Sequence, residues 1–122
     1  MYNYGGTVSP GNPAQSGSTG ILNVAGNYRQ EPQGTLKVNL KGSTPGSGFD
    51  QLRVTKQAVL AGTLDLDRAT TCAPGLTTKL KVLTMASRLG KFDRLPDTTL
   101  PNAREWYAVY GTRDVTLGVI KG

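Results

Sequence analysis

Apolar and polar residues alternate in short runs along most of this 122-residue chain. The clearest are Leu36-Lys37-Val38-Asn39-Leu40 and Leu64-Asp65-Leu66-Asp67, with Leu52-Arg53-Val54 and Leu80-Lys81-Val82 as shorter counterparts. A period of two puts the apolar side chains of each run on one face, so each predicts a strand with one buried side. Turn chemistry separates the runs: Gly-Ser-Thr-Pro-Gly-Ser-Gly at 42–48, Ala-Pro-Gly at 73–75 and Leu-Pro-Asp at 95–97. Helical spacing never persists beyond a turn. The pattern predicts an all-β chain.

The runs also recur at a fixed interval. Glycines followed two residues on by an apolar residue stand at Gly6, Gly34, Gly62, Gly90 and Gly118, each 28 residues after the last. Two further columns keep this step: Val24, Leu52, Leu80 and Ala108, then Gly26, Val54, Val82 and Tyr110. A fixed period of about this length marks units that stack on one another. The expectation is a parallel β-solenoid (β-helix) with repeats of 28 residues, in which Gly34, Leu36, Leu52, Val54, Gly62, Leu64, Leu80, Val82, Gly90 and Phe92 form the repeating framework. Stacking sets Lys37 beside Asp65, which is favourable, and Arg53 beside Lys81, which is not. The alternative is an antiparallel β-sandwich that joins the same strands by hairpins.

Composition agrees with strands and turns. Sixteen glycines and seven prolines are too many for a helical protein, and 37% apolar residues support one modest core in a single domain spanning 1–122. No apolar run reaches the ~18 residues of a membrane span, so no membrane insertion is expected. Met1 is not followed by a basic and then apolar stretch. The absence of that signal pattern fits a cytosolic protein or an internal piece of a longer exported chain.

Candidate chemistry is sparse. Cys72 is the one cysteine and histidine is absent, which removes an internal disulfide, Ser-His-Asp and Cys-His catalysis, and the usual zinc sites. A net charge of +6 permits polyanion binding. However, Lys37, Lys41, Arg53, Lys56 and Arg68 are spaced singly and read as a solvated surface, not a nucleic-acid interface. The 42–48 stretch lacks the Gly-Lys-Ser/Thr and the following helix of a phosphate loop. Asp65 and Asp67 share a strand face at ~6.5–7 Å, a spacing compatible with glycoside hydrolysis or a hard cation. Their counterparts one period earlier, Lys37 and Asn39, add no further acid, so the pair reads as solvated and no enzyme and no cofactor are expected. Asp50, just before a strand, reads as a turn-closing residue. Trp106-Tyr107-Ala108-Val109-Tyr110 holds three of the eight aromatics. Trp106, Tyr107 and Tyr110 are candidate contacts for a glycan or a protein partner. The register instead points Ala108 and Tyr110 inward with Trp106, as a cap over the last coil.

The order of phrases between Gly5 and Val119 resembles a known group. GGTVSPGNP leads to GNYRQ, then FDQLRVTKQAVLAGTLDLD, LKVLTMASRLGKF and WYAVYGTRDVTLGV. This series is similar to β-helical segments near the C-terminal ends of large bacterial secreted and surface proteins, autotransporter-passenger-like. Two departures stand out: Ala61 replaces the second glycine before Thr-Leu, and the polar stretch Pro13 to Thr19 is longer. The resemblance implies an extracellular or cell-surface location in bacteria and a non-catalytic structural or adhesive module that extends or caps a solenoid. Its partner is the remainder of the parent protein. A glycan- or polyanion-binding domain is the alternative. Residues 5–20 are then an N-terminal polar segment and 104–120 a C-terminal cap. The weakly protected N-terminal edge, with Pro10 and Pro13 in its loop, is expected to recruit a second copy.

Overall fold

The computed structural model describes residues 1–11, 19–69 and 72–121. Among these are thirteen strands and no helix: β1 (Tyr2–Asn3), β2 (Thr7–Val8), β3 (Ile21–Val24), β4 (Tyr28–Gln30), β5 (Thr35–Leu40), β6 (Gln51–Val54), β7 (Gln57–Leu60), β8 (Thr63–Arg68), β9 (Leu80–Thr84), β10 (Ser87–Gly90), β11 (Thr99–Leu100), β12 (Arg104–Tyr110) and β13 (Asp114–Lys121). They form three sheets, ordered β1-β4-β7-β10, β2-β5-β8 and β11-β12-β13-β9-β6-β3. From β1 to β10 the chain visits these sheets in rotation, and every strand pairs in parallel with its predecessor in the same sheet. The last three strands break this rule. β13 lies antiparallel against β9, β12 antiparallel against β13, and β11 antiparallel against β12. The third sheet is therefore mixed, and hairpin pairing of the sandwich kind is confined to β9–β13.

The 28-residue step holds in one sheet. Thr7 faces Thr35, Leu36 faces Leu64 and Lys37 faces Asp65. In the other two sheets the step varies: Tyr2 faces Arg29, one residue short of 28, whereas Tyr28 faces Ala58, Leu22 faces Leu52 and Leu52 faces Leu83, two or three residues over it. Corner lengths explain the difference. Four residues link β4 to β5 but only two link β7 to β8, so a 30-residue offset before the corner becomes 28 after it.

Several expected columns are corrected accordingly. Leu52 pairs with Leu83 and not Leu80, and Val54 pairs with Val24. Leu80 and Val82 remain fully in the core. A bulge at Val82 against the Val115/Thr116 step resets the alternation, so Leu80, Val82 and Leu83 all face inward. Gly90 pairs with Leu60 instead of Gly62, and the neighbour of Leu64 on that side is Arg94, whose carbonyl accepts the Leu64 N–H, and not Phe92. Ala108 and Tyr110 do not continue the Leu80 and Val82 columns, because β13 stands between β12 and β9. Gly118 belongs to β13, opposite Tyr107.

One core joins the three sheets. Leu36, Leu64, Leu52, Leu83 and Leu117 are each at 0% exposure. Polar side chains stitch its corners. Gln30, 1% exposed, donates from Nε2 to the carbonyls of Ala61 (2.8 Å) and Thr63 (3.1 Å) one level further along, while its Oε1 accepts the Tyr28 hydroxyl at 2.6 Å. At the same corner Gly62 has φ +72, and a Cβ there would lie 2.3 Å from the Gly34 carbonyl oxygen, so only glycine fits. Asp50 is fully buried and is not a turn-closing residue. Its carboxylate accepts the Gly20 and Asn39 N–H groups at 2.8 Å each, and the Asn39 side-chain amide at 3.0 Å. That set of donors lets a carboxylate sit inside the core. The N-terminal polar segment contributes β2 to the second sheet, while residues 12–18, with Pro13, lie outside the described residues.

Candidate functional site

The three aromatic candidates all sit on β12, and strand alternation divides them. Tyr107 is on the outer face. Its ring lies over Gly118, where a Cβ would come within 2.4 Å of Cζ, and its hydroxyl accepts a 2.7 Å bond from Lys79 Nζ. Tyr110 is on the opposite face, half-buried beside Phe92 at 6.4 Å between ring centroids. Arg88 and Lys91 stand at 5.3 and 5.4 Å from its ring centroid. Burial pushes the Tyr110 phenol up. Trp106 is 3% exposed and packed in the core. The three side chains therefore form no common platform, and Trp106 is not on the surface.

Trp106 instead lines a cavity of about 140 Å³ with Leu66, Asp67, Arg68, Asp97 and Thr99. Its indole Nε1 is buried and makes no hydrogen bond. An orphaned donor in the interior is uncommon and costly. Asp97 Oδ1 accepts the Thr99 N–H at 3.1 Å, and Lys37 Nζ lies 3.5 Å from Asp67 Oδ2. Arg68 is engaged with the Ala69 and Cys72 carbonyls. Asp97 and Thr99 carry no sequence signal of their own, since Leu-Pro-Asp reads as a turn.

The remaining candidates are less organised. Asp65 faces Lys37 across the strand pair, as the spacing requires, but the ion pair forms diagonally to Asp67. No group of three Cys, Asp or Glu residues able to hold a metal is present among the described residues. A second cavity, about 260 Å³, is bounded by Lys41, Ser43, Cys72, Pro74 and Thr78. Burial pushes the Cys72 thiol up, against a smaller opposing effect of Arg68, so it is held in its unreactive form. At β1 and just beyond it, exposed Tyr2 and Tyr4 stack at 4.1 Å. Glu31 accepts from the Tyr2 hydroxyl and from Arg29 Nε, and these two bonds hold its carboxyl below the ordinary range.

Set against family models, curated proteins and solved structures, the chain matches none of them.

Proposed function

We propose that the chain is a non-catalytic structural or adhesive module of a bacterial secreted or cell-surface protein, built as a β-solenoid whose stacking is brought to a close by the β12–β13 hairpin. One observation carries this reading: β13 occupies the outer edge of β9 in the antiparallel sense. A further parallel strand has no place to pair there, because the third sheet continues through β13, β12 and β11 in the antiparallel sense. The rotation of the chain through three sheets, with parallel pairing throughout β1–β10, supports the solenoid. The polar interior ties at Gln30 and Asp50 suit a rigid spacer that bears load between neighbours. On this reading the natural partner is the rest of a longer protein, with adhesive groups displayed on the outer faces.

The test is a turnover panel of plant and bacterial polysaccharides, run on the wild-type chain and on the Asp65→Asn, Asp67→Asn double variant. A structural module releases no reducing ends above buffer in either case. Turnover by the wild type that the double variant loses would overturn the reading.

A further inference from the structure

We infer that the cavity beneath Trp106 is a binding site for a neutral, hydroxyl-rich ligand, the edge of a single sugar ring. An unpartnered donor stands at the cavity's wall. Trp106 is 97% buried by its 3% exposure, lines the cavity, and carries an indole N–H with no acceptor. A native core rarely leaves such a donor without a partner unless something else fills the role.

The outer edge of β8 adds main-chain groups. Thr63 N–H bonds inward to Gly34 O and Leu64 N–H bonds outward to Arg94 O. By strand alternation Leu66, two residues on, also turns its N–H and C=O outward, where β8 has no neighbouring strand among the described residues. Leu66 is a wall of the same cavity. Two carboxylates complete the set. The Thr99 N–H occupies one oxygen of Asp97 and Lys37 lies against one oxygen of Asp67, which leaves each a second oxygen to accept.

Charge and polarity then select the occupant. An anion meets the Asp67 and Asp97 carboxylates. A cation meets the indole N–H, the Leu66 N–H and the neighbouring Arg68. Hydroxyl groups satisfy both sides, since each accepts from an N–H and donates to a carboxylate. An extended peptide pairing along β8 is disfavoured because Arg94 already takes the start of that edge and Asp97 and Thr99 wall the far side, leaving a small, partly open recess of about 140 Å³. That space suits a ring edge and not a strand.

Trp106 is the only tryptophan, so one indole ¹H–¹⁵N resonance reports the site directly. The experiment titrates ¹⁵N-labelled protein with D-glucose, D-galactose, D-mannose and N-acetyl-D-glucosamine, with calcium chloride and a pentavaline-type peptide as competitors of other chemistry. At least one sugar is expected to shift the indole peak saturably in the millimolar range. Asp97→Asn, at an exposed position, is expected to weaken that sugar by about tenfold, as loss of a charged acceptor does. Asp65→Asn, away from the cavity, leaves it unchanged. The proposal is overturned if no sugar gives a saturable shift, which would mean that water alone fills the cavity. It is equally overturned if calcium or the peptide saturates the site instead, or if Asp97→Asn leaves sugar binding intact.

Discussion

Replacing Gln30 with leucine removes a polar clamp while nearly keeping its volume. The side chain is 1% exposed and joins β4 to the next level of the stack through Ala61 O at 2.8 Å and Thr63 O at 3.1 Å. Its Oε1 is also the acceptor of the buried Tyr28 hydroxyl at 2.6 Å. Each bond is worth about 1 kcal/mol net, and a buried hydroxyl left without its acceptor costs about 1–3 kcal/mol more. The expected loss for Gln30→Leu is therefore about 3–5 kcal/mol, a large part of the ~5–15 kcal/mol that holds a domain together. Tyr28→Phe alone removes a single hydroxyl and is expected to cost about 1 kcal/mol. In the Tyr28→Phe background, Gln30→Leu no longer strands that hydroxyl, so its cost falls by about 1 kcal/mol or more. Urea unfolding followed by far-ultraviolet circular dichroism gives all four values, provided the slope is shared. A Gln30→Leu loss below about 0.5 kcal/mol, or strict additivity with Tyr28→Phe, would refute the reasoning. It would mean that β4 and the β7–β8 corner are not stacked as described.

Three further outcomes follow from the same geometry. Leu64→Ala, at 0% exposure and paired with Leu36, is expected to cost about 2–5 kcal/mol, read from the urea midpoint. Burial pushes the Tyr28 phenol up to about 12, opposed by a hydrogen bond with Asn3. The folded chain then holds this proton where the unfolded chain releases it, so the stabilisation is complete below pH 10, falls as pH rises from about 10 to 12, and levels off above; alkaline titration with denaturant should lose about 2–3 kcal/mol over that window, and Tyr28→Phe should flatten it. The outer edges of β1, β2 and β3 pair with no strand among the described residues, so sedimentation velocity is expected to show reversible association as concentration rises, and a strict monomer into the millimolar range would contradict it.

Legibility in the sequence was uneven, for reasons that lie in particular residues. Leu36 to Leu40 and Leu64 to Asp67 announce β5 and β8 by strict alternation, and their 28-residue offset is also the true register. The same offset misleads elsewhere because corners differ in length and Val82 forms a bulge, and neither feature leaves a periodic trace. The antiparallel return of β13 was equally silent, since Val115, Leu117 and Val119 alternate as they would in a parallel strand. Asp50 and Gln30 are polar letters that pattern reading assigns to the surface. Their burial depends on partners 11 to 33 residues away, which no local window contains. Trp106 stood out as a candidate by its ring alone, whereas Asp97 and Thr99 reach it only through the tertiary fold.

Parallel pairing through β1–β10 gives way to antiparallel pairing at β13. Cross-strand Hα–Hα contacts in a nuclear Overhauser spectrum test that boundary directly, because antiparallel neighbours bring alternate Cα pairs to about 4.5 Å and parallel neighbours do not. Strong Hα–Hα peaks are expected between β12 and β13, in the register that sets Trp106 against Val119 and Ala108 against Leu117, with none between β5 and β8 although the Leu36 and Leu64 methyl groups show mutual contacts. Hα–Hα peaks joining β5 to β8, or β3 to β6, would contradict the stacked arrangement outright.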